Sequence, residues 1–195
     1  TVTTIAGDGT QSYLEHATDP LLAQFYRPSN LALHGTDMYL SDSHNHRVRK
    51  VLMGGSSTEL VAFDGTQGFI DSPNPRVAYP RGIAATAAGA LFVCDRDNHA
   101  VRKIVVGGAV STVAGTGAAG SVDGVGVVAS LDNPRMLSIS DSGYLFVSGY
   151  ASGGTNLRMI DTTTGLVTTL ASEGATVMRS VSVSADAGTI YVCDK

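Results

Sequence analysis

Three arginines occupy the same position in successive copies of a repeated strand. Arg81 and Arg135 each follow a proline and precede an apolar run, and Arg179 stands at the corresponding point of a later copy. A guanidinium group binds a carboxylate or phosphate through forked hydrogen bonds. Three such groups at one rim would form a ligand-binding site for an anion. The alternative is that each arginine pairs with a neighbouring aspartate, the candidates being Asp42, Asp95 and Asp194.

The histidines of the chain are the second set of residues that could do chemistry. His46 and His99 share one repeat position, and His44 lies beside the first of them. A residue repeated in each copy is expected to stabilise its own turn. Because no His-x-His pair recurs elsewhere, ligand spacing gives no support for a zinc site. The segment 95–106 begins like a calcium loop but lacks the required glycine and glutamate. We therefore predict no metal site, no catalytic residue and no cofactor.

These side chains belong to a motif that occurs twice. Residues 42–51 and 95–104 share an aspartate, an Asn-His pair, a valine, an Arg-Lys pair and a final β-branched residue. The two copies lie 53 positions apart. A period of that size indicates a repeat architecture.

Each repeat contains four predicted strands. A proline-led apolar strand comes first, an aromatic strand second, the Arg-Lys strand third and a Val/Thr strand last. The aromatic strand is apolar at consecutive positions, as in 91–94, which predicts a sheet covered on both faces. Stacked four-stranded antiparallel sheets are the blades of a β-propeller. A β-sandwich is the competing fold, but it does not require a four-stranded repeat of this length.

The predicted fold is an all-β propeller of four-stranded antiparallel blades with an incomplete ring. The blade repeats are placed at approximately 28–63, 80–115, 134–172 and 178–195, the last of them truncated. Residues 1–7 are predicted to be the outer strand of a preceding or closing blade. The chain is therefore predicted to contain three full blades and partial terminal blades. Open blade faces and strand edges favour self-association.

These segments resemble the NHL-repeat family of β-propellers. Residues 80–115 follow the family's order of a Pro-Gly-Ile/Val-Ala strand, an aromatic strand ending in Asp, an Asn-His turn and a Val-Thr strand. The resemblance extends over nearly the whole chain. Family members have about six blades, or roughly 300 residues at about 50 per blade. The resemblance therefore implies that these 195 residues are part of a longer propeller.

The third repeat departs from the family pattern. Gly149 replaces the aspartate, and residues 150–155 replace the Asn-His turn. A glycine- and serine-rich turn at this point is either a functional loop or a surface turn that has drifted from the pattern.

Composition restricts the possible partners. Thirteen basic against seventeen acidic residues give a net charge of −4, which disfavours nucleic acid. No apolar run reaches the length of a membrane span, so no membrane insertion is predicted. Cys94 and Cys193 are interpreted as small buried residues and not as a disulfide. The sequence indicates no cellular compartment.

The resemblance and the residues together favour a non-enzymatic scaffold for protein–protein interaction. A propeller supplies a rigid ring, and the connectors at 7–27, 64–79 and 115–133 differ between blades. The partner would be another protein or the remainder of a longer propeller chain. The alternative is a propeller enzyme similar to lactonases or amidating lyases, with a channel metal site lying partly outside this chain. RNA binding is a third possibility, which the overall charge disfavours.

Overall fold

The computed structural model describes residues 1–16, 18–52, 57–151, 154–173 and 178–193. These residues contain fifteen β-strands and three single-turn 3-10 helices. Asp194 and residues 152–153 of the altered third turn lie outside them. The 3-10 helices are Pro20–Leu22, Ser43–Asn45 and Gly126–Val128. The strands are β1 (Pro28–His34), β2 (Asp37–Asp42), β3 (Arg47–Leu52), β4 (Thr58–Ala62), β5 (Pro80–Ala85), β6 (Ala90–Asp95), β7 (Ala100–Val105), β8 (Val110–Ala114), β9 (Gly124–Val125), β10 (Met136–Ile139), β11 (Tyr144–Ala151), β12 (Gly154–Asp161), β13 (Leu166–Glu173), β14 (Ser180–Val183) and β15 (Ile190–Cys193).

The strands form four antiparallel sheets in chain order. Blade 1 contains β1 to β4, blade 2 contains β5 to β8, blade 3 contains β10 to β13, and blade 4 contains β14 and β15. Within each blade, every strand pairs with the strand that follows it in the chain, as expected when short turns join neighbouring strands. Blade 3 has a fifth strand, because β9 from the preceding connector pairs with the start of β13. The four-stranded antiparallel blades are confirmed.

The central strand β6 shows why these sheets stack. Phe92 and Cys94 belong to one buried cluster, shared with residues of blade 3. Leu91 and Val93 belong to another cluster, shared with residues of blade 1. Because successive side chains of a strand point to opposite faces, blade 2 has one apolar core on each side. The prediction of a sheet covered on both faces is confirmed.

The proline-led strands lie innermost and contact one another from blade to blade. β1 packs against β5, β5 against β10, and β10 against β14. At Gly82 the approach is so close that a Cβ atom would lie 2.7 Å from the Cα atom of Met136. The Gly82 N–H donates to the carbonyl of Arg135 at 2.7 Å. The predicted fold class, an all-β propeller of four-stranded antiparallel blades, is confirmed.

The N-terminal segment and Cys193 are two places where the structure does not bear out the sequence expectation. Residues 1–7 pair with no described strand, so their role as an outer strand stays a prediction. Cys94 is buried and unbonded as expected, but Cys193 is exposed. The expectation of a buried Cys193 is wrong because β15 pairs with no described strand other than β14.

Candidate functional site: an arginine-rich channel rim

The residue before each strand-leading proline fixes where the rim side chains emerge. Tyr79 and Asn133 adopt left-handed backbone conformations, with φ of 50° and 41°. Such angles are uncommon for residues other than glycine and need support from neighbours. His46 accepts the Tyr79 N–H at Nδ1 and His99 accepts the Asn133 N–H at Nδ1, both at 3.1 Å. The innermost strand of one blade is thereby held by the turn of the preceding blade.

His46 and His99 were expected to stabilise their own turns, and the structure gives them a further role between blades. A ring that accepts a hydrogen bond at Nδ1 is neutral and carries its proton on Nε2. The Gln67 amide nitrogen lies 3.0 Å from that atom of His46, and an Nε2–H donor there requires the opposite orientation of the amide, in which its oxygen accepts. Burial lowers the pKa of His46, which favours the neutral form.

The aspartates that end the aromatic strands β2 and β6 pair with arginines of their own blade. Asp42 lies 3.1 Å from Arg49, and Asp95 lies 2.9 Å from Arg102. All four side chains are fully buried. The alternative that Asp42 or Asp95 pairs with a rim arginine is therefore wrong.

None of the three predicted rim arginines pairs with a carboxylate of the described residues. Among the described residues, only three arginines form neither a side-chain hydrogen bond nor an ion pair, and they are Arg81, Arg135 and Arg179. Arg81 and Arg135 are partly buried, and the Nε of each is buried without an acceptor. Burial lowers the pKa of Arg81, and the charges of Arg96 and Arg135 act in the same direction. Unpaired buried charge is costly for stability and is concentrated at functional sites.

Aromatic rings hold the rim cations in place. The guanidinium of Arg135 lies over the Tyr150 ring at 4.3 Å from its centroid, and that of Arg96 lies over Tyr79 at 4.8 Å. These are cation–π distances. Arg96 also forms an ion pair with Asp97.

A fourth arginine extends the cluster into blade 1. Arg27 Nη1 lies 3.5 Å from Nε2 of His44, whose ring is 4.9 Å from Tyr26 and 5.1 Å from Tyr79. The pKa of His44 is lowered first by burial and then by the charges of Arg27, Arg96 and Arg81. We refer to Arg27, Arg81, Arg96 and Arg135 as the arginine rim. It draws its members from three blades.

Arg179 occupies the corresponding position at the start of blade 4, and its place in the rim stays a prediction. Its side chain is exposed, and its backbone N–H donates to the Cys193 carbonyl at 2.7 Å. In blade 1 the same position is Ser29, whose hydroxyl donates to the carbonyl of Arg81 at 3.2 Å. Sequence reasoning selected Arg81 and Arg135 and missed Arg27 and Arg96. Arg96 could have been noticed as the residue that directly follows the repeated Asp95.

The repeated arginine of the Arg-Lys strand clamps each connector to its blade. Arg102 is fully buried and donates to the carbonyls of Ile70 and Arg76 as well as to Asp71 and Asp95. Arg49 and Arg158 make equivalent contacts with their own connectors. These clamps were not predicted. Their signal was present, because Arg49 and Arg102 each lie seven residues after the repeated aspartate.

The third blade keeps the clamp without the aspartate. Arg158 donates to the carbonyls of Ser130 and Val122 and to Asp123. At Gly149 a Cβ atom would lie 2.6 Å from the carbonyl oxygen of Asp132. The connector backbone therefore lies closer to β11 here than a side chain at this position would permit.

Other features of the described residues add no second chemical site. They contain no group of three or more His, Cys, Asp or Glu side chains that could hold a metal ion. They also contain no helix with the length and hydropathy that a membrane span requires. A cavity of about 650 Å³ lies between residues 4–11 and β1, and Arg27 is the rim residue that lines it.

Comparison with known families decides the nature of the repeat. The NHL repeat family matches residues 77–104. Residues 77–104 form an NHL repeat. This NHL repeat contains Arg81, Arg96, His99 and the buried pair of Asp95 and Arg102. The predicted resemblance is confirmed.

A curated relative also shares part of this chain. Over 69 residues the chain is 35% identical to Protein SUPPRESSOR OF QUENCHING 1, chloroplastic, from Arabidopsis thaliana. The aligned part is 34% of this chain and 6% of that protein. The chain thus spans a small fraction of the curated relative it matches.

Solved structures resemble the fold around this NHL repeat. A protein of unknown function from Bacteroides thetaiotaomicron is 17% identical, with a TM-score of 0.67 over 85% of this chain and 44% of that one. Virginiamycin B lyase from Staphylococcus aureus, solved as the inactive H270A variant with quinupristin, is 11% identical, with a TM-score of 0.58 over 86% and 48%. The chain spans about half the length of these structures. At such identities the likeness shows the propeller fold alone.

Proposed function

We propose that this chain is a non-enzymatic interaction module that binds a protein partner through its arginine rim. The observation that carries the proposal is the state of Arg81 and Arg135. Both are partly buried, neither has a hydrogen bond or an ion pair, and each keeps a buried Nε without an acceptor. Because the fully buried arginines of the described residues are bound to carboxylates and carbonyls, Arg81 and Arg135 are the partly buried arginines that a ligand can engage.

The surroundings of the pair suit a macromolecular ligand. Tyr79 and Tyr150 present aromatic surface beside the arginines, and aromatic residues with arginine are enriched at protein-binding hot spots. Tyr79 and Tyr150 belong to different blades, so a ligand at the rim contacts more than one repeat. The propeller framework holds these groups on a rigid scaffold, which reduces the conformational entropy lost on binding.

The competing enzyme function has no specific support in the described residues. A lyase is among the structures with the same fold, but an identity of 11% does not carry an activity over to this chain. The anionic overall charge disfavours RNA as the natural partner, although the charge of the rim itself is positive.

The test is selection of peptides on the purified chain, followed by measurement on rim variants. A displayed library of random peptides is enriched on the wild-type protein, and the selected peptides are synthesised. We expect the double substitution Arg81→Gln with Arg135→Gln to weaken their binding at least tenfold, since each charged hydrogen bond contributes about 1.5–3 kcal/mol.

The matched control removes the same charge away from the rim. Arg76→Gln with Lys103→Gln changes two cations on the connector and on β7, and it should leave binding within about twofold of wild type. Selected peptides that bind the rim variant and the wild type equally well would refute the proposal, as would a selection that enriches no peptide.

A further inference from the structure

We infer that the group bound between Arg81 and Arg135 is a phosphomonoester dianion, carried by a phosphorylated serine or threonine of the partner protein. This inference rests on the proposed function and specifies its ligand chemistry. It is based on the charge left uncompensated at the rim, on the hydrogen-bond donors available there and on the rigidity of their placement.

The first argument is the charge balance of the rim. Arg96 is neutralised by Asp97, whereas no carboxylate in the described residues pairs with Arg81 or Arg135. Burial lowers the pKa of Arg81, and the charges of Arg96 and Arg135 lower it further, while the charge of Asp97 has a smaller effect in the opposite direction. A single carboxylate would compensate one of the two charges of Arg81 and Arg135. A phosphomonoester carries a charge of about −1.5 to −2 at pH 7 and compensates both.

The second argument is the match of donors to acceptors. Each guanidinium presents five N–H donors in a planar fork. Arg81 and Arg135 use none of them on side-chain or backbone acceptors of the described residues. A phosphomonoester offers three strong acceptor oxygens, enough for one fork from each arginine, whereas a carboxylate is filled by one bidentate fork.

The third argument is that the backbone segments carrying the two arginines are held in fixed positions. The strands that carry them are joined by the hydrogen bond from the Gly82 N–H to the Arg135 carbonyl. The close approach at Gly82 leaves no room for the strands to shift towards each other. The guanidinium of Arg135 also lies over the Tyr150 ring. Arginines carried on fixed backbone segments lose less conformational entropy on binding an anion than arginines on a mobile loop.

A protein-borne phosphate fits these observations better than a nucleic acid does. Nucleic-acid binding draws on many successive phosphate contacts with lysine and arginine. At this rim Arg81 and Arg135 have neither a hydrogen bond nor an ion pair, Arg27 contacts only His44, and Arg96 is already engaged with Asp97. A site of this size matches one phosphate group, as in the recognition of phosphorylated motifs by arginine clusters.

The experiment compares fluorescent degenerate peptide pools that differ at one central residue. The central residue is phosphoserine, glutamate or serine, and binding to the purified chain is measured by fluorescence anisotropy at fixed ionic strength. We expect the phosphoserine pool to bind at least tenfold more tightly than the glutamate pool, and more tightly still than the serine pool. Inorganic phosphate should compete with it, and sodium chloride at equal ionic strength should compete less.

Variants assign the binding to the rim. Arg81→Gln with Arg135→Gln should reduce phosphoserine-pool binding to the level of the serine pool. Arg76→Gln with Lys103→Gln should leave it within twofold of wild type. Circular dichroism of each variant shows whether it is folded, and single substitutions at Arg81 or Arg135 replace the double variant if it is not.

Each other outcome counts against a defined part of the argument. Equal binding of the phosphoserine and glutamate pools, lost in the rim variant, overturns the phosphomonoester and leaves the interaction module standing. Phosphoserine binding that the rim variant retains overturns the assigned site. A degenerate single-stranded RNA pool that binds the rim more tightly than the phosphoserine pool overturns the protein-borne ligand. Failure of all peptide pools refutes the inference and counts against the proposed function as well.

Discussion

Replacing Arg102 by methionine tests whether the buried clamps stabilise each blade through their charge. Arg102 is fully buried, and its terminal nitrogens donate to two carbonyls and two carboxylates. One of these carboxylates, Asp95, is also fully buried, and burial already raises its pKa to about 6. The substitution leaves Asp95 without its cation. Removing one partner of a buried ion pair costs about 3–5 kcal/mol.

The same substitution at Arg158 provides the internal comparison. Arg158 is as buried as Arg102, but its carboxylate partner Asp123 is 47% exposed and stays solvated when the arginine is removed. The remaining loss is that of hydrogen bonds to the buried carbonyl of Ser130 and the carbonyl of Val122. We expect Arg158→Met to cost about 1–3 kcal/mol, the usual range for leaving a buried acceptor unsatisfied.

Urea denaturation followed by far-ultraviolet circular dichroism measures both costs, since the chain contains no tryptophan for a fluorescence signal. Arg102→Met should lower the free energy of unfolding by about 2 kcal/mol more than Arg158→Met. If Arg102→Met does not fold, the double variant with Asp95→Asn should recover part of the loss, because it removes the uncompensated charge. Equal costs for the two arginines, or no recovery in the double variant, would refute the reasoning.

Three further predictions concern contacts between blades. Lowering the pH from about 6.5 through the reduced folded-state pKa of His46 should remove the stability that the neutral ring contributes, because the unfolded chain takes up the proton first. Asp95, with its raised pKa, acts in the opposite direction, so the His46 contribution is measured as the difference between wild type and His46→Gln in thermal unfolding against pH. Gly82→Ala should lower the free energy of unfolding by about 1–3 kcal/mol, since its Cβ meets neighbouring backbone. The atoms nearest to the Cβ atom of Gly68→Ala would belong to the side chain of Arg76 and not to backbone. This control should lower the free energy of unfolding less than Gly82→Ala in the same urea titration. Asn30→Ala removes the side-chain oxygen that accepts the Ile83 N–H at 3.1 Å and should lower the free energy of unfolding by about 1–2 kcal/mol. Asn30→Asp keeps an accepting oxygen and should retain most of the stability in the same titration.

The strands and their stacking were predictable because they depend on local patterns that repeat. The apolar run at 91–94 signals a sheet buried on both faces, and it forms β6 with a core on either side. The repeated proline likewise marks the innermost strand. Such patterns need no knowledge of which distant residues meet.

The partners of charged side chains were less predictable, because they depend on how the connectors fold back. Asp95 follows its strand in the sequence, but only the folded chain shows that it faces Arg102 and not Arg81. The same holds for His99, whose acceptor atom reaches a backbone N–H 34 residues later. Arg81 and Arg135 could be selected because their position repeats, whereas Arg27 and Arg96 stand at positions that hold other residues in the other repeats.

The two histidine contacts between blades have a consequence for how such a chain can grow. In both cases the acceptor lies in one repeat and the donor N–H lies in the next, so that each contact crosses the boundary in the same direction. A duplicated repeat inserted in phase would carry an acceptor for its successor and a donor for its predecessor. The junction would therefore be complete without any new substitution. The hydrogen bond that joins neighbouring blades is therefore compatible with a change in the number of blades by gene duplication.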